Sequence, residues 1–164
     1  MAKTKEIKTN AMRQLETAGV PYEMHTYDTE DGQIDGVSVA QKCGQDPDAV
    51  FKTLVTVGDD RNHYVFCVPV KAKLDLKKAA KAAGVKSVEM IHQKELFGLT
   101  GYIHGGCSPV GMKKPFRTWI DETAVLFDTI CVSGGKVGVQ VEVNPQSLAE
   151  LVQAEFTDIT REDM

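Results

Sequence analysis

The sequence predicts a mixed α+β fold in which short helices surround a mainly antiparallel sheet. Pairs of β-branched or aromatic segments joined by short polar or Gly-containing loops indicate β-hairpins. Short capped helical segments lie between them, without the regular alternation of strand and helix that βαβ winding requires. The 164 residues contain no repeat, low-complexity tract or long linker, which predicts one domain over residues 1–164.

The N-terminal part predicts two helices with a strand between them. The first helix begins at Thr9 or Asn10 and ends at Gly19, because capping residues and glycine mark helix ends. Its apolar positions recur at helical spacing, at Met12, Leu15 and Ala18. A short strand is expected over 22–27 and a second helix over 37–43.

The central part predicts a hairpin followed by a helix. Residues 51–57 and 63–70 are β-branched or aromatic runs, and the polar loop 58–62 has the length that joins antiparallel strands. Residues 75–83 are rich in Ala, Leu and Lys, which are strong helix formers. A short strand over 88–91 and another short helix should follow.

Strands dominate the C-terminal part of the chain. Four are expected, over 118–120, 124–127, 129–133 and 137–143. The last two should pair as a hairpin whose turn is Gly134-Gly135-Lys136. Asn144 can cap a final helix that has Pro145 at its first position.

Composition restricts the class of protein. The net charge of −4 argues against a protein that coats nucleic acid indiscriminately, although a local basic surface is compatible with it. The chain has no apolar run near the roughly 20 residues of a membrane-spanning helix. Its first residues are polar and lack the apolar core of a signal peptide. We therefore expect a cytoplasmic protein.

Metal and cofactor motifs are absent from the sequence. The four cysteines form no C-x-x-C pair, which favours buried thiols over a metal or redox site. The four histidines have no ligand spacing, so no zinc centre is predicted. The chain also lacks a G-x-S-x-G elbow and an evident Ser/His/Asp series. If the protein is a hydrolase, much of its chemistry must come from elsewhere, such as the substrate.

Lys52 is the first candidate site residue. It is a single charge near the start of an apolar strand, on the face expected to carry Leu54 and Thr56. A buried ammonium there would need an anionic or carbonyl partner, which a substrate could provide. The alternative is a lysine at a strand end that reaches water along its aliphatic stem.

Two Gly-containing segments and a tyrosine could also contact a ligand. The run 101–111 has four glycines around Pro109, and glycine lets backbone N–H groups approach a carbonyl or an anion. Ser133, before Gly134, could orient a ligand through its hydroxyl, and Tyr27 could stack on one. Each feature has an ordinary structural alternative, namely a bend, a hairpin turn and a core or surface tyrosine.

Positive charge is concentrated in two short segments of this acidic chain. They contribute Lys71, Lys73, Lys77, Lys78 and Lys81, and then Lys113, Lys114 and Arg117. Such clusters suit contact with the phosphates of a folded RNA, which would make binding salt-dependent. A solvated helix face explains them equally well.

Four segments together resemble the YbaK family of Cys-tRNA(Pro) deacylases. They are Phe51-Lys52-Thr53-Leu54, Leu76-Lys77-Lys78-Ala79-Ala80-Lys81, Gly105-Gly106-Cys107-Ser108-Pro109-Val110-Gly111-Met112-Lys113-Lys114 and Val132-Ser133-Gly134-Gly135-Lys136. The likeness covers nearly the whole chain, and its specificity comes from the order and spacing of the segments. It implies the fold of the editing domain inserted in bacterial prolyl-tRNA synthetases, with no metal or nucleotide.

The resemblance also implies roles for particular residues. The lysine, tyrosine and serine of the family correspond to Lys52, Tyr27 and Ser133, and its glycine-rich loop corresponds to 105–111. Gly105 and Gly106 would present backbone N–H groups to developing negative charge, while Lys52 would hold the terminal adenosine or the carbonyl oxygen. Substrate contacts are expected at Pro109, Gly111, Gly134, Lys77, Lys113 and Lys114.

In the mechanism usually assigned to this family, the thiol of the misplaced cysteine attacks its own ester carbonyl. Two alternatives are a deacylase for another small residue on tRNA(Pro), such as alanine, and a non-catalytic module that binds tRNA or a synthetase. Prolyl-tRNA synthetase is the expected partner. The segment 28–36 departs from the family, because it lacks the aromatic residue with which relatives often line the pocket.

Overall fold

The computed structural model describes residues 7–161, which form five α-helices and ten β-strands. The helices are α1 (Asn10–Thr17), α2 (Gly36–Lys42), α3 (Leu76–Ala83), α4 (Leu96–Thr100) and α5 (Pro145–Val152). The strands are β1 (Tyr22–Thr26), β2 (Phe51–Gly58), β3 (His63–Pro69), β4 (Lys73–Leu74), β5 (Val88–Met90), β6 (Arg117–Asp121), β7 (Ile130–Lys136), β8 (Val139–Val143), β9 (Glu155–Thr157) and β10 (Thr160–Arg161). The prediction that the first residues are not a signal peptide concerns a stretch whose first six residues lie outside the described part of the chain.

The strands form two sheets and a small two-stranded pair. The larger sheet has the order β5-β2-β3-β6-β9, the smaller one β1-β8-β7, and β10 pairs with β4. Pairing between the strands of residues 7–161 is mainly antiparallel, and the parallel strand pairs are those that β6 forms with β3 and with β9. The predicted mixed α+β class is therefore confirmed.

Side-chain caps explain where the helices begin. The Thr9 hydroxyl accepts a hydrogen bond from the Met12 N–H at the start of α1, and the Asp75 carboxylate caps α3 in the same way. Asn144 caps α5, in which Pro145 occupies the first turn. Of the three apolar positions at helical spacing, Met12 and Leu15 are buried, whereas Ala18 is the exposed C-terminal cap of α1.

The strand predicted over 124–127 was wrong, because residues Glu122–Leu126 form a 3₁₀ helix. The Asp121 carboxylate accepts hydrogen bonds from the Thr123 N–H and from its hydroxyl, at 3.3 and 2.7 Å. Such local side-chain bonds stabilise a turn in competition with a strand. The capping aspartate therefore stabilises a 3₁₀ helix in a segment whose residues favour a β-strand.

The expected turn at 134–136 was also placed wrongly. Strand β7 continues through Lys136, and its pairing with β8 shifts register between Ser133 and Lys136. Gly134 and Gly135 therefore form a β-bulge, and the chain reverses at residues 137–138. The hairpin itself is confirmed.

The two sheets meet at the start of β2, where an isolated parallel bridge joins Val50 to Cys131. One core cluster lies between the sheets and includes Phe51, Ile120 and Leu148. A second cluster, on the other side of the larger sheet, includes Phe66 and stacks it on a tryptophan of β6. In residues 7–161, none of the helices has the length and apolar character needed to cross a membrane.

Candidate active site

A cavity of about 340 Å³ opens where β2 and β7 meet. Its volume falls in the range of small-molecule sites, about 300–1,000 Å³. It is bordered by the loop before α2, by β2, by the glycine-rich loop and by the β7–β8 hairpin. The lining residues that could contact a ligand through polar groups include Tyr27, Asp35, Lys52, Thr53, His104, Gly105, Ser133 and Gln140.

Lys52 is the second residue of β2, and it lines the cavity. Its side chain is half-buried, and its ammonium lies 3.5 Å from the Val70 carbonyl oxygen, which is a long contact. No carboxylate within residues 7–161 forms an ion pair with it. Burial, together with repulsion from Lys73, lowers the pKa of Lys52 below its ordinary value. The ammonium is thus a donor that a ligand oxygen could satisfy.

Ser133 is presented by the bulge in β7. The Gly135 N–H donates to its hydroxyl oxygen at 3.1 Å, which orients the side chain and leaves the hydroxyl hydrogen available. Within the described chain no imidazole or carboxylate bonds to this hydroxyl. Ser133 is therefore suited to orient a ligand and lacks the base that would make it a nucleophile.

Gly105 and Gly106 differ in their relation to the cavity. Gly105 lines it and has φ +87°, a conformation that residues with a Cβ rarely adopt. The N–H of Gly106 donates to the Ile103 carbonyl at 2.9 Å, and the residue packs against the backbone at Val137. Only the Gly105 backbone of the two is placed to contact a ligand.

Three other predicted contacts lie behind the cavity wall. Pro109 is buried and lies outside the set of residues that line the cavity. Gly111 packs against α1, where a Cβ would lie 3.0 Å from the Ala11 nitrogen. The Gly134 carbonyl accepts a 2.5 Å hydrogen bond from the Thr9 hydroxyl. These residues shape the loops that form the wall.

The predicted basic contacts lie on the surface. Lys77, Lys113 and Lys114 are exposed and do not line the cavity. The Lys113 ammonium lies 5.3 Å from the centre of the exposed Phe97 ring, a cation–π contact. Lys78, on the same helix as Lys77, bonds to the Asp158 carboxylate at 2.9 Å.

The segment 28–35 forms one wall of the cavity, and the sequence did not show which residue of the segment would line it. Ile34 lines the cavity, and its Cδ1 lies 3.0 Å from the position of a Cβ on Gly105. Lys42 holds the segment, because its ammonium donates to the Asp28 carbonyl, the Asp31 carboxylate and the Gln33 carbonyl at 2.7–3.0 Å. An aliphatic side chain thus lines this wall.

The polar residues of the cavity that were missed from the sequence include Gln140 and His104. Gln140 is buried, and its side-chain carbonyl accepts a 2.8 Å hydrogen bond from the Gln45 amide. Gln140 alternates with valines in β8, the ordinary pattern of a strand with one polar face, so its burial was not evident from the sequence. His104 is exposed at the mouth of the cavity, immediately before the glycine-rich loop, and its isolation from other histidines gave no signal.

The cavity also contains a thiol, that of Cys107. Burial raises the pKa of Cys107 to about 12, so the group is neutral near pH 7. Because the thiolate is the reactive form, this side chain is a poor nucleophile. The described residues therefore provide donors and apolar walls around a ligand without an activated nucleophile.

Comparison with known proteins identifies the family. The sequence model of the aminoacyl-tRNA editing domain matches residues 35–151. The chain is 45% identical over 164 residues to an Enterococcus faecalis protein named "Putative Cys-tRNA(Pro)/Cys-tRNA(Cys) deacylase EbsC", covering 99% of this chain and 100% of that one.

Solved structures share the fold. A protein described as a "putative trans-editing enzyme for prolyl tRNA synthetase" superposes with a TM-score of 0.83 at 27% identity, covering 95% of this chain and 99% of that one. The hypothetical protein APE2540 superposes with a TM-score of 0.85 at 20% identity over 93% of this chain and 100% of its own, a likeness of fold alone. The family match spans more than half of the chain, so this protein belongs to the aminoacyl-tRNA editing domain family, as its sequence motifs predicted.

Proposed function

We propose that this protein is an aminoacyl-tRNA deacylase that removes cysteine from mischarged tRNA(Pro), with the whole chain acting as one editing domain. The observation that carries the proposal is a cavity that can hold and polarise an ester but has no activated nucleophile. The named function of the relative that is 45% identical supports the same substrate. An enzyme of this kind needs a substrate that supplies the attacking group.

Cysteine is a substrate that can do so. Its thiol sulfur attacks the ester carbonyl carbon of the same residue, the bond from that carbon to the ribose oxygen breaks, and the thiol proton passes to the departing oxygen. The product is a four-membered cyclic thioester, which water opens to free cysteine. The protein contributes by holding the sulfur and the carbonyl carbon in the reactive orientation.

Four groups can assist this step. The Lys52 ammonium can donate to the ester carbonyl oxygen or to the terminal adenosine, since among residues 7–161 its one hydrogen-bond partner is the Val70 carbonyl oxygen, 3.5 Å away. The Gly105 backbone can face the negative charge that develops on that oxygen. The Ser133 hydroxyl, oriented by the Gly135 N–H, and Tyr27 can hold the amino acid or the ribose.

The tRNA body must be bound outside this cavity. A space of about 340 Å³ holds an aminoacyl group with part of the terminal nucleotide, so the phosphates must lie along the surface. The exposed lysines Lys77, Lys113 and Lys114 are candidates for those contacts. The chemistry depends on the esterified cysteine and not on the anticodon, so Cys-tRNA(Cys), which the relative's name includes, is a second substrate.

Selection of tRNA(Pro) is proposed to come from prolyl-tRNA synthetase. The structural relative that is described as acting for this synthetase supports such a partner. An association that delivers tRNA(Pro) would direct the hydrolysis to the mischarged species. We therefore expect the synthetase to increase the preference for Cys-tRNA(Pro) over Cys-tRNA(Cys).

The proposal is tested by single-turnover deacylation of Cys-tRNA(Pro), Ala-tRNA(Pro), Ser-tRNA(Pro) and Cys-tRNA(Cys), with and without the synthetase. Cysteinyl esters should be cleaved fastest. Lys52→Ala should lower the rate by on the order of 10²–10³, the usual effect of losing an oxyanion donor. The matched control is Lys86→Ala, an exposed lysine outside the cavity.

Three outcomes would contradict parts of this assignment. Equal cleavage of an S-methylcysteinyl ester would exclude attack by the substrate thiol. Faster cleavage of Ala-tRNA(Pro) would instead favour an alanine deacylase that activates water, for which the His104 imidazole and the Asp35 carboxylate, both in the cavity lining, are the candidate bases. Binding of charged tRNA without cleavage of any ester would identify a non-catalytic module.

A further inference from the structure

A second group of reactive side chains lies on one face of the smaller sheet, outside the cavity. His25 on β1, Cys131 on β7 and Glu142 on β8 place a ring nitrogen, a sulfur and a carboxylate oxygen within 4.8 Å of one another. The His25 Nε2 and a Glu142 oxygen are 2.8 Å apart. Strand register produces this cluster, because β8 lies between the other two strands and Glu142 is directly opposite Cys131.

We propose that His25, Cys131 and Glu142 form a binding site for a thiophilic divalent cation of the zinc class. Imidazole, thiolate and carboxylate are three side-chain ligands that zinc accepts, with bonds of about 2.0–2.3 Å. Ligand atoms around a tetrahedral ion are then roughly 3.5 Å apart. Small rotamer changes of the three side chains would therefore bring their ligand atoms to the spacing that a bound ion requires. The three residues come from three strands, which is why the sequence shows no ligand spacing.

The surroundings favour a cation at this point. A Glu23 carboxylate oxygen lies 3.9 Å from the same ring nitrogen of His25 and provides a second negative charge at the cluster. A cation at the cluster would face both carboxylates and neutralise part of their charge.

The cluster is accessible on one side and closed on the other. The His25 and Glu142 side chains are 28% and 32% exposed, whereas Cys131 is 5% exposed and packs under α2 with Val50. The sulfur therefore forms the floor of the site and the other two ligands form its rim. A hydrated ion could enter from the rim and exchange its waters for protein ligands.

The proposed site is adjacent to the cavity. Cys131 is two residues before Ser133 on β7, and Glu142 is two residues after Gln140 on β8, so each pair lies on the same face of its strand. Both Ser133 and Gln140 line the cavity. An ion that ties β7 to β8 and β1 would therefore hold the strands from which these two residues project.

The test is titration of the metal-free protein with Zn²⁺ by calorimetry and with Co²⁺ by absorption spectroscopy. One equivalent should bind, with release of the Cys131 proton, and Co²⁺ should give a thiolate-to-metal charge-transfer band. His25→Ala and Glu142→Gln should each weaken binding by about 100-fold or more, since even the loss of an outer-shell partner costs about 10–100-fold. Cys131→Ser should abolish the charge-transfer band.

Matched controls separate this site from other thiols and imidazoles. Cys107→Ala and His92→Ala, which remove a buried cysteine and an exposed histidine elsewhere, should leave the binding constant unchanged. If Cys131→Ser fails to fold, the two remaining ligand variants decide the question. Failure of Zn²⁺ to bind stoichiometrically, or binding that survives both His25→Ala and Glu142→Gln, would overturn the proposal without affecting the proposed deacylase activity.

Discussion

Ile34 packs directly against Gly105, so that a Cβ on residue 105 would lie 3.0 Å from the Ile34 Cδ1. The contact joins two loops that are distant in sequence, and together they close one side of the cavity. Its tightness depends on glycine, because any side chain at residue 105 would have to displace the isoleucine. The φ of +87° at Gly105 adds a second requirement for glycine.

Gly105→Ala should therefore impair both folding and turnover. The positive φ alone costs a residue with a Cβ about 1–2 kcal/mol, and the crowding against Ile34 should narrow the cavity. We expect a lower Tm and a kcat/KM that is at least tenfold lower. A displacement of reacting groups by about 1 Å can lower the rate of an enzyme by about 10²-fold. The measurements are thermal unfolding and deacylation of Cys-tRNA(Pro).

Gly98→Ala is the matched control, because that glycine lies in α4 with no atom within 4 Å of a Cβ and no positive φ. It should leave turnover unchanged and raise stability by about 0.5–1 kcal/mol, as alanine does in a helix. Equal damage from both substitutions would show that the effect at Gly105 is not specific to the cavity wall.

Ile34→Ala should relax the selection among amino acids. Removing this side chain enlarges the cavity. One methylene more or less on a substrate in an apolar pocket changes the discrimination between two substrates by about 1–3 kcal/mol. We expect kcat/KM for the cysteinyl ester to fall by about tenfold or more, while larger aminoacyl esters are bound better than by the wild type. Competition between cysteinyl and bulkier esters on tRNA(Pro) measures the change.

A control for Ile34→Ala is Ile103→Ala, because Ile103 is an exposed isoleucine just before the glycine-rich loop and does not line the cavity. It should not alter the order of preference among esters. An unchanged order in Ile34→Ala would mean that the 28–35 segment does not contribute to selectivity.

Lys52→Met should stabilise the fold while it removes activity. The pKa of Lys52 is lowered in the folded protein by burial and by Lys73, so the charged form is disfavoured there. Between the folded and the unfolded pKa the unfolded chain binds more protons, and the unfavourable contribution of Lys52 is relieved as pH rises through that window. Methionine removes the charge and fills similar space.

The gain in the free energy of unfolding should therefore be largest near pH 7. It should become smaller as the pH rises toward the ordinary lysine pKa of about 10.4. Urea unfolding of the wild type and Lys52→Met at neutral and alkaline pH measures it. Lys86→Met changes an exposed lysine and should give no such difference. A loss of stability at pH 7 in Lys52→Met would contradict the view that the lysine is held in place for function.

Cys107→Ala should retain deacylation within about tenfold of the wild type. The burial that raises the pKa of Cys107 to about 12 keeps its thiol protonated between pH 6 and 8, so it cannot act as the nucleophile there. Iodoacetamide at pH 7 should likewise inactivate the enzyme slowly. Trapping of a cysteinyl adduct on Cys107 would refute attack by the substrate thiol.

The sequence predicted most elements of this fold because their signals are local. The caps at Thr9, Asp75 and Asn144 and the alternation in β2 and β3 act through neighbouring residues, and the structure confirms those helices and that hairpin. The parallel pairing of β6 with β9 was not predicted, since it joins residues far apart in the chain. Long-range pairing leaves no periodic mark on the sequence.

The candidate site was predictable only where unusual residues stand out. Lys52 and Ser133 were found because a charge in an apolar strand and a serine beside two glycines are uncommon, and the structure brings both to one cavity. Ile34 and Gln140 were missed, because an isoleucine in a loop and a glutamine in a strand look ordinary until the fold brings them together. Their roles, like those of the predicted residues, remain predictions.

Thr9→Ala should reduce both stability and turnover, because Thr9 links α1 to the bulge that presents Ser133. Its hydroxyl accepts from the Met12 N–H at 3.1 Å and donates to the Gly134 carbonyl at 2.5 Å. Loss of a threonine cap costs about 0.5–2 kcal/mol, and the bulge loses a tether at the same time. We expect a Tm lower by several degrees, about 2–4 °C per kcal/mol, and a several-fold lower kcat.

Asn144→Ala separates the two effects, because Asn144 caps α5 through the Ser147 N–H and lies outside the cavity lining. It should lower the Tm to a similar extent and leave kcat for Cys-tRNA(Pro) unchanged at a temperature well below unfolding. If both variants lose activity in proportion to stability, the Thr9–Gly134 hydrogen bond has no particular role in positioning Ser133. If only Thr9→Ala loses activity, the serine depends on that link for its orientation.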